Sequence, residues 1–354
     1  MVAALAAAAL LTAILPAAAT GGTIWTTLPS MPTARAGVAS AAAPCPPGQT
    51  GICVYTVGGE NLAGQPLASA ESYNRITNAW STLPPMPTAR SNAAAATAAC
   101  PPGQTGTCLY VIGGVVISGE SQTPQTVVQS YNPVTNAWST VAPLRTARSD
   151  LAATAAPCSL GQTGMCIYAV GGVGAVGSLG STESYNPISN TWSTVASMPT
   201  PRSGLGAAAA PCSPGQQNTC VYAVGGFDST QTNVVQSYNP AANTWTPVAS
   251  LPTPRSNMGT TATTCPPGQS GTCIYIVGGL YVTHLLASVQ SYNPASNIWT
   301  DLPPMPTPRW QLGAVAMPCP TGVGGNCVYA SGGADGSDVL ATLEALDPPE
   351  HTKH

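Results

Sequence analysis

Residues 86–114 read MPTARSNAAAATAACPPGQTGTCLYVIGG and residues 131–138 read YNPVTNAW, and together they contain one complete copy of a repeated unit. Within this copy Arg90 is followed ten residues later by Cys100, and Cys108 comes eight residues after that. The alternating apolar run that follows ends in a Gly-Gly pair. Self-similarity at a fixed period is the sequence signature of a repeat architecture, so the recurrence of this unit decides the fold.

The unit occurs six times at nearly constant spacing. Its arginine recurs as Arg35, Arg90, Arg148, Arg202, Arg255 and Arg309. Its two cysteines recur as the pairs Cys45 and Cys53, Cys100 and Cys108, Cys158 and Cys166, Cys212 and Cys220, Cys265 and Cys273, and Cys319 and Cys327. Between Gly-Gly and the second tyrosine of the unit, the gap varies from 12 to 17 residues. The loop in that interval is therefore the part that differs between copies.

Four short strands account for each unit. An Ala-, Val- and Thr-rich run leads into the first cysteine, and an alternating run such as 108–112 leads into Gly-Gly. A third strand, 127–131 in this copy, precedes the turn sequence Asn-Pro-x-x-Asn, and a fourth strand holds Trp138. Small four-stranded sheets repeated around an axis leave only short, protected edges, so the pattern predicts a β-propeller.

Arg, Gly-Gly, Tyr-Asn-Pro, Asn-x-x-Trp and Met-Pro-Thr-x-Arg at a period of 53 to 58 residues resemble the kelch repeat. The resemblance extends over about residues 23–347 and implies an all-β, six-bladed propeller with four antiparallel strands per blade. Residues 24–29 supply a fourth strand without the first three, and the last unit stops after its third strand at 343–347. We therefore expect the N-terminal strand to close the last blade, with residues 20–347 forming one propeller domain.

The spacing of the cysteines favours disulfides. In each unit the two cysteines flank a turn, rich in Gly and Pro in most copies, that can bring the ends of two strands within bonding distance. Zinc is the alternative, but zinc-binding cysteine pairs are usually about two to four residues apart. Six disulfides are typical of a protein in an oxidising compartment.

The N-terminal sequence indicates secretion. Residues 2–15 are almost wholly apolar, and Ala17 and Ala19 provide the small residues of a cleavage site, so we interpret 1–19 as a signal peptide. The basic n-region is missing, and an Ala-rich buried helix is the alternative. The apolar run is too short for a comfortable membrane span, and no second span is expected. Residues 348–354 are interpreted as a C-terminal tail, and the predicted localisation is secreted or cell-surface.

The order of the strands separates two faces. The Cys-Cys turn and the Asn-Pro-x-x-Asn turn lie at one end of the strands, which we call the stapled face. The loop of varying length and the Met-Pro-Thr-x-Arg connection lie at the other end, which we call the variable face. Binding sites are found on diversified loops held by a rigid scaffold, so we expect one on the variable face.

The candidate ligand-binding residues occupy fixed positions in the unit. By resemblance to ligand-binding kelch propellers, the residue two positions after each arginine points towards the mouth of the central channel, which implicates Gly37, Asn92, Asp150, Gly204, Asn257 and Gln311. Loop residues after Gly-Gly, and one off-pattern aromatic beside the ring, add Glu60, Asn61, Phe227, Asp228, Asp335 and Trp310. The alternative is that loops are polar in any case. The repeated arginines and tryptophans are predicted to be structural, because each recurs at one position in the unit.

Composition excludes several functions. Only 6% of the residues are charged and the net charge is −3, so the chain has no basic surface for nucleic-acid phosphates. Every cysteine has a repeat partner, and only His284 of the three histidines lies in the body of the chain, so the residues for copper-radical oxidase chemistry are missing. We predict no catalytic residue, no metal site and no cofactor.

Three functions remain open. The first is an extracellular binding module that recognises a glycan, a peptide or a protein at the variable face. The second is a structural surface protein that self-associates, because low net charge weakens repulsion between copies. The third is a sugar mutarotase or epimerase resembling six-bladed kelch enzymes, with Asp150 and Glu60 as acid and base. Its arginine would have to be Arg145, which is not clearly placed at the mouth, so the residues favour a protein without catalytic activity.

Overall fold

The computed structural model describes residues 24–119, 121–215, 218–320 and 325–347. Within these ranges the strands form six four-stranded antiparallel sheets and four additional two-stranded hairpins, with no helix. The predicted signal peptide at 1–19 and the predicted tail at 348–354 lie outside the described residues. None of the described segments forms a helix that is long and apolar enough to cross a membrane.

The first half of the chain builds blades 1 to 3. Strand β1 spans Ile24–Leu28. Blade 1 contains β2 (Ala39–Pro44), β3 (Ile52–Val57), β4 (Ala70–Asn74) and β5 (Ala79–Leu83). Blade 2 follows with β6 (Ala94–Ala99), β7 (Thr107–Ile112), the hairpin β8 (Val115–Ser118) and β9 (Ser121–Pro124), then β10 (Val128–Asn132) and β11 (Ala137–Thr140). Blade 3 has β12 (Ala152–Pro157), β13 (Met165–Val170), the hairpin β14 (Val173–Gly174) and β15 (Gly177–Ser178), then β16 (Thr182–Asn186) and β17 (Thr191–Val195).

The second half builds blades 4 to 6. Blade 4 has β18 (Gly206–Pro211), β19 (Thr219–Val224), the hairpin β20 (Phe227–Asp228) and β21 (Thr230–Gln231), then β22 (Val235–Asn239) and β23 (Thr244–Pro247). Blade 5 has β24 (Gly259–Thr264), β25 (Thr272–Val277), the hairpin β26 (Leu280–Tyr281) and β27 (His284–Leu285), then β28 (Val289–Asn293) and β29 (Ile298–Leu302). Blade 6 has β30 (Gly313–Pro318), β31 (Asn326–Ser331) and β32 (Leu343–Asp347).

Blade 6 takes its outer strand from the beginning of the described chain. Strand β1 pairs with β32 along its whole length, from Ile24 opposite Asp347 to Leu28 opposite Leu343. The sheet order is β1-β32-β31-β30, which matches the order of strands in the other five blades. The predicted six-bladed all-β propeller, with four antiparallel strands per blade and closure by the N-terminal strand, is confirmed.

Neighbouring blades pack through aromatic side chains. The middle strands β3, β7, β13, β19, β25 and β31 are almost wholly buried, and each carries a tyrosine. Five of these tyrosines contact an aromatic ring of the next blade, and Tyr275 of blade 5 packs in one cluster with Leu346 of blade 6. The rings of Tyr110 in blade 2 and Tyr185 in blade 3, for example, have centroids 5.5 Å apart. Both hydroxyls are bonded, Tyr110 to the carbonyl of Ala99 and Tyr185 to the amide oxygen of Asn190. Buried tyrosines therefore add apolar area without leaving an unpaired polar group.

Each repeated tryptophan joins its blade to the preceding one. Its indole N–H donates to a carbonyl in the connection that leaves the preceding blade, as from Trp138 in blade 2 to Pro84 after blade 1, at 2.8 Å. The same bond occurs at every junction, with Trp25, Trp80, Trp138, Trp192, Trp245 and Trp299 as donors. The predicted structural role of the tryptophans is confirmed.

All six predicted disulfides are present on the stapled face, with Cα–Cα distances of 4.7 to 5.0 Å. In blade 1 the turn between Cys45 and Cys53 also carries Gln49, which bonds to Asn74 and Ser81 on the outer two strands. Ile24 and Asp347, the two ends of the described chain, lie at this face as well. The stapled face is therefore fastened within each blade, and the described chain enters and leaves there.

Candidate functional site

A closed ring of backbone hydrogen bonds surrounds the mouth of the channel on the variable face. The N–H of Asn92 donates to the carbonyl of Gly37 in the preceding blade, and the same bond is repeated from blade to blade at 2.7 to 3.0 Å. The ring comprises Gly37, Asn92, Asp150, Gly204, Asn257 and Gln311, the six residues that the sequence placed at the mouth. Each has a positive φ of 50° to 61°. The N–H of each residue is used within the ring, so the hydrogen-bond donors that a ligand can meet here are those of the side chains.

The left-handed conformation explains which residue types occupy the ring. Glycine adopts positive φ freely, and asparagine and aspartate tolerate it better than other side chains. Two of the six residues are glycine, and each makes room for a neighbour. A Cβ atom on Gly37 would lie 2.4 Å from Oδ1 of Asn92, and one on Gly204 would lie 2.6 Å from Oδ1 of Asn257. The two asparagine side chains therefore lie over the two glycines, on opposite sides of the mouth.

The ring lines a cavity of about 90 Å³ at the mouth. Deeper in the channel a second cavity of about 280 Å³ is walled by the innermost strands of all six blades. Its walls carry small uncharged side chains such as Ser40, Ala95, Thr154 and Thr260. The asparagine, glutamine and aspartate side chains of the ring are therefore at the mouth and not in the deeper cavity.

Asp150 and Glu60 give the mouth its charge. Asp150 is a ring residue, and burial raises the pKa of its carboxyl, although the Ser149 hydroxyl donates to it at 2.9 Å. Burial also raises the pKa of Glu60, and the negative charge of nearby Asp150 raises it further. Burial disfavours the ionised form of both carboxyls. Such carboxyls are typical of sites that bind a cationic group or transfer a proton.

The rim of the mouth is built by a second set of backbone pairs. The residue after each arginine pairs with the residue after Gly-Gly, which gives Ala36 with Glu60, Ser91 with Val115, Ser149 with Val173, Ser203 with Phe227, Ser256 with Leu280 and Trp310 with Ala334. Phe227, Leu280 and Trp310 belong to blades 4 to 6, and Glu60 belongs to blade 1. The residues after Gly-Gly in the other blades are apolar as well, so Glu60 is the one charged residue among these rim pairs, and the nearby acidic ring residue Asp150 belongs to blade 3.

The remaining predicted site residues have different surroundings. Asp228 is exposed beside Phe227, and its charge raises the pKa of buried Arg202 against the larger lowering by burial. Asn61 accepts the N–H groups of Ala63 and Gln65, so its side chain holds its own loop. Asp335 likewise accepts the N–H groups of Ser337 and Asp338, which lowers the pKa of its carboxyl.

The repeated arginines lie beneath this surface. All six are fully buried. Arg148 is representative. Its Nη1 donates to the carbonyls of Gly171 and Ser181 in its own blade. Its main-chain carbonyl accepts the N–H of Gly114 in the preceding blade, at 2.9 Å. The arginine therefore ties its blade to the preceding one, and the predicted structural role is confirmed.

The arginines have two kinds of side-chain partner. Blades 1, 3 and 6 use a buried glutamate, giving the ion pairs Arg35–Glu71, Arg148–Glu183 and Arg309–Glu344 at 2.6 to 2.9 Å. Blades 2, 4 and 5 use a glutamine instead, giving Arg90–Gln129, Arg202–Gln236 and Arg255–Gln290. In those three blades burial lowers the pKa of the arginine to about 10.

Two other groups do not contribute to the mouth. Arg145 donates to the carbonyl of Trp192 in the outermost strand of blade 3, so it does not supply the arginine that a mutarotase-type site would need. Asp347 lies within 4.8 Å of Cys319 and Cys327, but these sulfurs are joined in a disulfide and are not thiolate ligands.

Sequence reasoning missed three features of the variable face. These are the closed hydrogen-bonded ring, the short hairpins in the loops of blades 2 to 5, and the exposed pair Tyr281 and Val282 at the tip of the blade 5 hairpin. The ring had a signal in the sequence, because Gly, Asn and Asp at one repeated position are typical of positive φ.

Comparison with known proteins identifies the repeat. The family model of the kelch motif matches residues 44–87, 96–145, 155–199, 208–252 and 263–306. The chain belongs to the kelch-repeat family. The sixth kelch unit lies outside those ranges, since it is divided between the two ends of the propeller and has Leu346 where the other copies have tyrosine.

Curated relatives and a solved structure agree with this kelch assignment. Kelch-like protein 25 of Xenopus tropicalis is 27% identical over 262 residues, which cover 72% of this chain and 40% of that protein. Kelch-like protein 23 of Homo sapiens is 26% identical over 301 residues, which cover 83% of this chain and 46% of that protein. The chain thus spans less than half the length of these relatives. The structure of YjhT, with a TM-score of 0.65, 15% identity and coverage of 92% of this chain and 98% of that one, is similar in fold.

Proposed function

We propose that this kelch propeller is an extracellular binding module whose variable face recognises a peptide or a glycan. The difference between the two faces carries the proposal. The stapled face has uniform turns, the disulfides and both ends of the described chain. The variable face has loops of different length, hairpins in four blades, a small polar mouth and exposed side chains such as Phe227 and Tyr281. Diversified loops on a rigid scaffold are the usual place for recognition.

The disulfides support the extracellular part of the proposal. The described residues include no free cysteine, and each blade has its own short cross-link. Disulfides of this kind persist in oxidising compartments and are rare in the cytosol. Expression of the full chain in a secreting host should place the folded protein in the medium with no thiol reactive to Ellman's reagent.

The binding test is a screen of the oxidised protein against arrays of glycans and of peptides. The variable-face variant is Phe227→Ser/Tyr281→Ser, which changes two exposed side chains of neighbouring blades. The matched control is Ile188→Ser, which changes an exposed apolar side chain in a turn of the stapled face. We expect ligands whose binding is lost in the first variant and kept in the control. Binding that only the control abolishes would contradict the proposal.

Self-association is the second candidate, and exposed apolar residues on the stapled face favour it. Val134 is 61% exposed, Leu160 81% and Ile188 62%. Sedimentation equilibrium over a range of concentrations tests it with the same control variant. Oligomers that form in the wild type and disappear in Ile188→Ser would support a structural role through the stapled face.

A further inference from the structure

The variable face has acidic groups at its mouth without a basic counterpart there. Glu60 and Asp150 lie close enough for their charges to interact, and Asp228, Asp335 and Asp338 lie in the surrounding loops. The cavity at the mouth is lined by ring residues and by apolar side chains such as Leu151 and Met258, with no lysine or arginine among them.

The arginines of the described chain are placed elsewhere. The six repeated arginines are fully buried beneath the Gly-Gly turns. Arg75 donates to the carbonyl of Cys319 near the stapled face. Arg145 is exposed on the variable face, in the connection between blades 2 and 3, but it donates to the outermost strand of blade 3 and not to the mouth. The described variable face also carries one histidine, His284, in the blade 5 hairpin. Around the mouth the exposed charge is therefore negative, and a cationic group is complementary to it.

An apolar patch lies across the mouth from Glu60. Phe227 in blade 4 is 40% exposed, and in blade 5 Tyr281 is 39% and Val282 is 60% exposed. The two hairpins that carry these residues are in contact, because the N–H of Val282 lies 3.4 Å from Oε1 of Gln231, the residue paired with Phe227. An exposed aromatic patch beside a charged mouth offers an anchor for a large side chain.

The size of the mouth selects the kind of group that enters it. Pockets that enclose a whole small molecule typically measure roughly 300–1,000 Å³. The mouth measures about 90 Å³, which suits the end of one side chain better than a sugar ring.

We infer that the partner is a peptide segment of a protein, with a lysine or arginine side chain that enters the mouth beside Glu60 and Asp150. A neighbouring apolar side chain of the same segment packs on Phe227 and Tyr281. This inference rests on the proposed function and narrows its ligand from a peptide or glycan to a basic peptide. The negative charge at the mouth favours the cationic side chain, and the apolar patch favours an apolar side chain next to it in the peptide.

The test uses peptides selected from a random phage-displayed library on the oxidised full chain. We expect the selected peptides to be rich in lysine or arginine next to an aromatic or aliphatic residue. Replacing that lysine by acetyl-lysine, or arginine by citrulline, in a synthetic copy should weaken binding about tenfold or more, as for loss of a charged hydrogen bond. Glu60→Gln/Asp150→Asn should weaken binding by a similar factor. Asp301→Asn, which removes an exposed charge from the outermost strand of blade 5, should change it much less.

Each alternative result overturns the inference in a recognisable way. In one such result, the selected peptides bind Glu60→Gln/Asp150→Asn as well as the wild type and lose binding in Phe227→Ser/Tyr281→Ser. That result would reject the role of a cationic side chain and would still agree with the proposed function. A library without binders, together with a glycan array that does bind at the variable face, would reject the peptide. The absence of any binder on both arrays would reject the proposed function as well. Asparagine tolerates the positive φ of Asp150, so misfolding is not expected to obscure the result.

Discussion

The indole N–H of Trp25 donates to the carbonyl of Pro303 at 2.9 Å, although 278 residues separate them in the sequence. This bond joins the N-terminal strand, as the outer strand of blade 6, to the connection that leaves blade 5. The other five blade junctions contain the same bond, for example from Trp245 to Ala196 at 2.8 Å. The junction that closes the ring therefore has the same chemistry as the junctions within the continuous chain.

Trp25→Phe should lower the free energy of unfolding by about 1 kcal/mol, the usual contribution of one hydrogen bond. The substitution removes the N–H donor and keeps an aromatic ring. Trp245→Phe is the matched control, because it removes the equivalent bond between blades 3 and 4. Equal losses in chemical denaturation are expected. A loss at Trp245 with none at Trp25 would show that the closing junction does not contribute to the stability of the propeller.

Removing one disulfide should cost about 2.5 kcal/mol on the chain-entropy estimate for a short loop. The variant Cys100→Ser/Cys108→Ser opens the blade 2 cross-link, whose cysteines are eight residues apart. Cys265→Ser/Cys273→Ser opens a loop of the same length in blade 5 and should cost a similar amount. Denaturant midpoints of both variants would be compared with the wild type under oxidising conditions. Losses that differ greatly between the two would contradict an effect set by loop length.

Glu183→Gln should be tolerated at a cost of about 1 kcal/mol, because three other blades already place glutamine against their arginine. Glu183→Leu should cost about 3–5 kcal/mol, since it leaves the fully buried guanidinium of Arg148 without its ion-pair partner. Thermal denaturation of both variants measures the difference. Similar losses of stability in the two variants would mean that the side chain of Glu183 stabilises the fold by packing alone and that its ion pair with Arg148 adds nothing.

The sequence predicted the repeat-level structure because that structure depends on local spacing. Cys100 and Cys108 bracket a turn, and Trp138 follows Tyr131 across another turn, so both positions follow from short-range pattern. The mouth depends on six residues that are far apart in the chain. The contact between Asn92 and Gly37 is set by how neighbouring blades meet, and no single repeat contains both residues. The acidic pair Glu60 and Asp150 was named from the sequence, but its mutual proximity and burial became visible only in the assembled ring.

Asp150→Asn should increase the stability of the protein at neutral pH. Burial raises the pKa of Asp150 above its unfolded value, so the fold disfavours the ionised carboxylate. This destabilisation is absent below the unfolded pKa, grows as the pH rises and is complete above the folded pKa. Asparagine lacks the ionisation and tolerates the same positive φ. The stability advantage of the variant over the wild type should therefore be larger at pH 7 than at pH 3.

Asp335→Asn is the control with the opposite sign. Hydrogen bonds from the backbone of Asp338 and Ser337 lower the pKa of Asp335, so its ionised form stabilises the loop. That contribution is present above the unfolded pKa and is lost as the pH falls through the folded pKa. Asp335→Asn should lose stability at pH 7 and approach the wild type in acid. Thermal unfolding of both variants across pH 3 to 7 separates the two behaviours, and a destabilised Asp150→Asn at pH 7 would contradict a carboxyl whose ionisation the fold disfavours.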